Sequence, residues 1–318
     1  NDGTDFTKIK TIGFTQNTSD GAEHTLLIDD MRVFTGDGTS PAAAKPTDVT
    51  ATGYDSHIEV SWDLNDESFV NGYEVDRSLD GGNTFTTVKV TDKSTYMYID
   101  WVRPLGDTVT MHYRIKALNS SNEPSVPSDT VYASTHVFSD EELLDMVQAY
   151  TFRYFWEGAH QLSGMALERS NGSTTTVASG GTGMGLMAMI AAHEREYRPT
   201  EEIKDRIIRI LTFLESCDRY HGAWSHWYNG DTGHTQPFST DDDGGDLVET
   251  SYVAQALISL KNYFSGEDVK SIQIREKADL LWKGIDWSWY RQYGQNVLYW
   301  HWSANNNFKI NMKIRGWN

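Results

Sequence analysis

The chain has 318 residues, 38% of them hydrophobic and 12% aromatic, which excludes wholesale disorder and points to two or three packed domains. A formal net charge of −18 speaks against nucleic acid or an anionic membrane as partner and suits a neutral or weakly charged ligand. The one cysteine, Cys217, excludes an internal disulfide framework or zinc motif; its helical spacing from Leu211 and Leu214 makes it a small buried residue. No apolar run is long enough to span a membrane and no signal-peptide pattern is present. The chain starts Asn1-Asp-Gly without Met, the expectation being that it was processed or cut from a longer protein.

In chain order, residues 6–14 (FTKIKTIGF) and 25–33 (TLLIDDMRV) alternate as two strands around a turn. Two strands bury no core of their own, so residues 1–35 are expected to belong to a larger β-sandwich. Their LLIDDMRV end resembles the last strand of jelly-roll carbohydrate-binding modules. Residues 36–46, rich in Gly, Pro and Ala, form a linker. Between 47 and 135 short alternating strands recur at 58–62, 72–77, 85–90, 96–99 and 112–117, the pattern of an all-β sandwich. With Trp62, GYEVDRS, Asp80-Gly-Gly, YRIKALN and Pro124-Ser-Val-Pro-Ser, this segment resembles a fibronectin type III domain, a module without chemistry of its own.

From Ser139 the period becomes helical. Ser139-x-x-Glu142 reads as a capping box, followed by a face of Leu143, Val147, Tyr150 and Tyr154. Ser179-Gly-Gly-Thr-Gly before an apolar run lacks the GxGxxG spacing of nucleotide sites, and close helix packing explains its glycines. Further helices are expected from Thr200 with Ile203, Ile207, Ile210, Leu211 and Leu214 inward, from Leu247 to Phe264, and through Ile272, Leu281, Ile285 and Trp289; residues 297–302 alternate as a short strand. Outside its loops, 139–289 should hold no sheet larger than three strands. Helices joined by long loops rich in Trp, His and Gly suggest an α/α toroid, of which five helices are legible where a complete one has twelve. The expected fold is therefore multidomain, all-β followed by an apparently truncated all-α toroid over 138–318.

The densest signal is PFSTDDDGGDLVE at 237–249, with five carboxylates, Asp241, Asp242, Asp243, Asp246 and Glu249, around two glycines. Charges so close repel unless solvent, a cation or a held proton relieves them. Trp224, His226 and Trp227 precede the motif and Trp300, His301 and Trp302 follow it. Carboxylates beside flat apolar rings are what glycosidic-bond hydrolysis requires. Asp246-x-x-Glu249 is equally a helix-capping pair, and the two roles are compatible. The spacing does not match an EF-hand loop, so no metal or other cofactor is expected.

Eight ordered motifs cover the last 180 residues: TFRYFWEGAH, SGMALERS, GGTGMGLMAM, HGAWSHWYNGDTG, PFSTDDDGGDLVETSY, WSWYRQ, LYWHWS and IRGWN. In these the chain resembles the bacterial glucoamylase-like domain, the group of the endo-β-1,2-glucanases of glycoside hydrolase family 144. The resemblance implies an (α/α)₆ barrel and inverting hydrolysis of β-glucan, with Asp242, Asp246 and Glu249 as the acidic candidates. It also implies a Glu just after IRGWN, following Asn318, as general acid. Expected substrate contacts are Arg169, Trp224, His226, Trp227, Asp243, Trp300, His301, Trp302 and Arg315. Each also has a plain structural role: ion pairing for the arginines, core packing for the indoles and imidazoles. The expected partner is a glucan poly- or oligosaccharide, met outside the cytoplasm: secreted, periplasmic or at the cell surface. Glucoamylase-type action on α-glucan and glycan binding without catalysis remain alternatives.

Overall fold

In a computed structural model of the chain, residues 40–315 are described; the strand pair expected within 1–35 lies outside them. The chain divides into two compact units between Asp140 and Glu141.

Among the described residues the first unit holds seven strands: β1 (Thr50–Gly53), β2 (His57–Ser61), β3 (Gly72–Ser78), β4 (Thr86–Asp92), β5 (Met97–Trp101), β6 (Thr110–Leu118) and β7 (Val131–Ser134). They form two antiparallel sheets, β1-β2-β5 and β4-β3-β6-β7. Ile58 and Val60 from one sheet and Tyr73, Val75, Tyr113 and Ile115 from the other enter one buried cluster with Trp62, which makes the unit a sandwich. β1 and β7 were not legible in sequence, being four residues each with one or two inward side chains. Two buried aspartates tie the sheets' polar positions: Asp100 accepts from Arg77 at 2.9 Å and Tyr113 at 2.8 Å, and Asp76 from Thr87 at 2.7 Å and Arg114 at 3.0 Å.

The second unit is built on α1 (Asp140–Trp156), α2 (Ser179–Glu194), α3 (Thr200–Ser216), α4 (Leu247–Tyr263) and α5 (Val269–Lys283). Its loops carry the short strands β8 (Thr176–Ala178), β9 (Arg219–Tyr220), β10 (Ala223–Trp224), β11 (Trp227–Asn229), β12 (Thr235–Gln236), β13 (Gly245–Asp246) and β14 (His301–Trp302). Among the described residues the largest sheet here has three strands, β12-β11-β8.

α3 buries the expected face, Ile203, Ile207, Ile210, Leu211 and Leu214, each side chain worth about 1.5–3 kcal/mol by burial. α2 and α4 cross closely because Gly183 has no side chain: a Cβ there would lie 2.5 Å from the Tyr252 carbonyl carbon. Two expectations are corrected. Leu143 and Val147 on α1 are 47% and 50% exposed; the helix meets the core through Phe152, which packs on Trp156 and Tyr197. α5 ends at Lys283, so Ile285 and Trp289 lie beyond it: the Gly284 amide closes the last turn on Leu280 and the chain leaves the helix there.

Candidate active site

The site is assembled by two strands and two helix N-termini. β13 pairs with β14, setting Gly245 opposite Trp302 and Asp246 opposite His301, and runs directly into α4. Both glycines of the DDDGGD run are demanded by crowding: a Cβ on Gly244 would stand 2.4 Å from the Trp302 carbonyl oxygen, and one on Gly245 2.1 Å from the Tyr290 hydroxyl. Neither has positive φ, so they serve close packing and not a left-handed backbone.

Asp246 is the N-cap of α4. Its Oδ1 accepts from the Val248 amide at 2.8 Å and the Glu249 amide at 3.1 Å, satisfying two of the helix's free donors. Its Oδ2 lies 3.1 Å from His226 Nδ1, and the whole residue is buried. The second half of the capping box does not form. Glu249 turns away from Asp246's backbone and accepts from the Gly180 amide at 2.8 Å, in the first turn of α2, where the helix dipole favours a negative charge. A Cβ at Gly180 would sit 2.4 Å from Glu249 Oε2, so a side chain there would push the Glu249 carboxylate out of this place. Glu249 Oε1 faces His226 Nε2 at 4.0 Å.

His226 thus stands between two carboxylates. Burial disfavours its charged form, but the hydrogen bond to Asp246 and the charges of Glu249, Asp246 and Asp242 outweigh this and raise its pKa above the ordinary value. Burial also raises Glu249; the His226 charge and the Gly180 amide only partly offset that. Asp242 is 2% exposed and neither of its oxygens has a hydrogen-bond partner. Burial first, and Asp246 next, push its carboxyl up to about 6. Its nearest basic nitrogen, His301 Nε2 at 3.4 Å, already accepts from the Gly244 amide at 3.0 Å.

A cavity of about 400 Å³ opens on this group, lined by His226, Asp246, Glu249, Trp300, Ile314 and Arg315 among others, within the size range of small-molecule sites. Of the expected residues, the structure brings five to it: Asp246, Glu249, His226, Trp300 and Arg315. Trp227 stands at its side, against His226 with ring centroids 5.6 Å apart. The others lie elsewhere. Trp224 is a core residue: fully buried, its indole N–H donates to the Leu214 carbonyl and Arg219 covers its ring. His301 is buried, opposite Asp246 on β14, and accepts from the Gly244 amide. Trp302 packs edge-on against Trp289 and His221. Asp243 is bound by the Asn305 and Asn306 amides; burial pushes its carboxyl up, but hydrogen bonds from Ser303, Asn305 and Asn306 hold it below the ordinary value. Arg169 pairs with Glu168 on the surface. Indoles and imidazoles at alternating positions read alike in sequence whether they face a ligand or a core.

Sequence reasoning passed over Phe238, whose ring stacks on His226, and the aliphatic walls Val248 and Ile314. Phe238's place inside the acidic motif was the available signal. As for metal, His226, Asp242 and Asp246 each offer one ligand atom within 4.8 Å of the others. Of these, His226 Nδ1 and Asp246 Oδ2 already meet each other at 3.1 Å.

No protein-family model matches the chain. It is 38% identical, over 318 residues, to an exo beta-1,2-glucooligosaccharide sophorohydrolase (non-reducing end) of Parabacteroides distasonis, an alignment covering 99% of this chain and 44% of that protein. The crystal structure of a beta-1,2-glucanase from Parabacteroides distasonis superimposes with a TM-score of 0.76 and 39% identity, over 88% of this chain and 40% of that one. An endo-beta-1,2-glucanase of Chitinophaga pinensis, in complex with sophorotriose and glucose, matches at 42% identity and a TM-score of 0.55, over 57% of this chain and 45% of its own. These relatives are β-1,2-glucan hydrolases. The chain spans less than half the length of each.

Proposed function

We propose that this chain carries the base side of the catalytic centre of an inverting glycoside hydrolase acting on β-1,2-glucan or its oligosaccharides. The observation that carries the reading is Glu249: one oxygen is pinned by the Gly180 amide, the other is open, and the carboxylate lines the cavity beside His226 and Asp246. A carboxylate whose pKa burial has raised is a better proton acceptor for water than an ordinary one. Glu249 activates the water; Asp246, with both oxygens engaged, holds His226 and the start of α4; Asp242 sets the local charge from behind. Trp300, Trp227 and Ile314 offer apolar surface for sugar rings, and Arg315 a donor for hydroxyls.

In inverting hydrolysis the acid stands about 6.5–9.5 Å from the base, with water between. The expected acid is the Glu that the resemblance implies after Asn318. In the same reading the sandwich is a fibronectin type III spacer, the helical unit is part of an (α/α)₆ toroid of the family 144 type, and the protein works outside the cytoplasm. Relatives that act on β-1,2-glucan, exo in one case and endo in another, support the linkage and leave chain-end preference to product analysis. The test is product chromatography with the natural full-length protein on linear β-1,2-glucan, laminarin and starch: turnover of the first alone is expected, and turnover of starch alone would replace this reading with α-glucan hydrolysis.

A further inference from the structure

His226 is the hinge of the site as described, because Asp246 and Glu249 face its two ring nitrogens. An imidazole rotates about its last side-chain bond unless something blocks its faces. One face is blocked. The Phe238 ring lies on the imidazole with centroids 4.3 Å apart and planes 27° from parallel, and Trp227 stands edge-on at 5.6 Å with its own ring 4.8 Å from Phe238.

Phe238 is itself held by a closed turn. Its amide donates to the Asp242 carbonyl at 2.9 Å, and the Asp242 amide returns to the Ser239 carbonyl and hydroxyl, both at 3.2 Å. The turn is fastened from outside: Lys309 pairs with Asp241 at 2.6 Å and the Asn306 amide donates to the Thr240 carbonyl at 3.1 Å. The same turn therefore delivers Asp242 behind the site and an aromatic lid onto its histidine. Phe238 is 46% exposed, a large apolar ring left half in water where core packing does not require it.

We propose that Phe238 is a positioning residue for His226, fixing the imidazole in the plane where Nδ1 meets Asp246 and Nε2 faces Glu249. The inference rests on the catalytic reading only for its consequence in turnover; the positioning itself is a property of the chain as it stands. The test is ¹⁵N NMR of the imidazole nitrogens in this chain, labelled at histidine, for the unsubstituted protein, Phe238→Ala, Phe238→Leu and Phe238→Tyr. The unsubstituted chain and Phe238→Tyr should show a His226 Nδ1 held protonated against Asp246. Phe238→Ala and Phe238→Leu should move both nitrogens toward the averaged tautomers of free imidazole, with the other histidine signals unchanged as the check on folding. Calorimetric titration with a β-1,2-linked glucooligosaccharide should show binding weakened at least tenfold in the Ala and Leu variants and kept within about twofold in the Tyr variant. Superimposable His226 signals in all four proteins would overturn the proposal whatever the sugar titration gives. Altered signals with no glucan binding even by the unsubstituted chain would support the positioning and count against the function instead.

Discussion

Glu249 and Asp246 sit three residues apart on the same helix end, yet their surroundings differ, and the difference is countable in hydrogen bonds. Asp246 has both oxygens occupied; Glu249 has one. Replacing Glu249 with Gln keeps an acceptor for the Gly180 amide and removes the proton acceptor. Hydrolysis should fall by about 10²–10⁴-fold while the melting temperature holds or rises, since burial no longer opposes a charge there. Asp246→Asn keeps an acceptor for the Val248 and Glu249 amides and should loosen His226, whereas Asp246→Ala removes the cap as well, at about 0.5–2 kcal/mol. A cap-only role for this motif predicts lost stability in Asp246→Ala with turnover kept. Asp242 gives a pH test with a definite sign. Because its folded pKa lies near 6, above the ordinary carboxylate value, the folded state binds that proton more tightly than the unfolded one. The resulting stability is present at pH below the ordinary value and is lost as pH rises through about 6. Asp242→Asn cannot ionise, so its melting temperature should exceed the parent's at pH 7.5 and converge with it near pH 3.5. Parallel curves at all pH values would show that Asp242 does not titrate there.

The helices show where sequence patterns suffice and where they stop. α3 was legible because a strong period-3.6 stripe, Ile203 to Leu214, is also the buried stripe. α1 has a stripe whose first half, Leu143 and Val147, turns out exposed, because periodicity identifies a helix without naming what covers it. The glycines at the start of α2 were read as close packing, which Gly183 fulfils; Gly180 instead clears the way for Glu249, a contact 69 residues distant that no local pattern encodes. The two glycines make a paired experiment with Gly181. A Cβ at Gly183 meets Tyr252 backbone at 2.5 Å, and one at Gly181 meets Ala178 and Ala166 side chains at 3.5 and 3.6 Å. Gly183→Ala should therefore lower the melting temperature substantially. Gly181→Ala should be neutral or gain up to about 1 kcal/mol from helix propensity. Equal effects in thermal denaturation would mean that α2 and α4 are not in backbone contact.

Across the molecule, charge density in sequence led to the cavity more directly than tryptophan content did. The acidic run stands out because like charges seldom gather without a cause, and the structure brings Asp246 and Glu249 to one cavity with His226. Tryptophan is ambiguous by nature, serving cores and sugars alike: Trp300 reached the cavity while Trp224, in the same kind of motif, went to the core. The sandwich was legible strand by strand except at its short edges. The central claim, that Glu249 is the working carboxylate of a β-1,2-glucan hydrolase, is tested most directly on the natural full-length protein. Its rate of product release from linear β-1,2-glucan should be measured beside that of Glu249→Gln, with melting temperatures taken on the same samples. The account predicts turnover by the parent and a loss of at least 100-fold in the variant at equal or higher melting temperature; a variant as fast as its parent would contradict it.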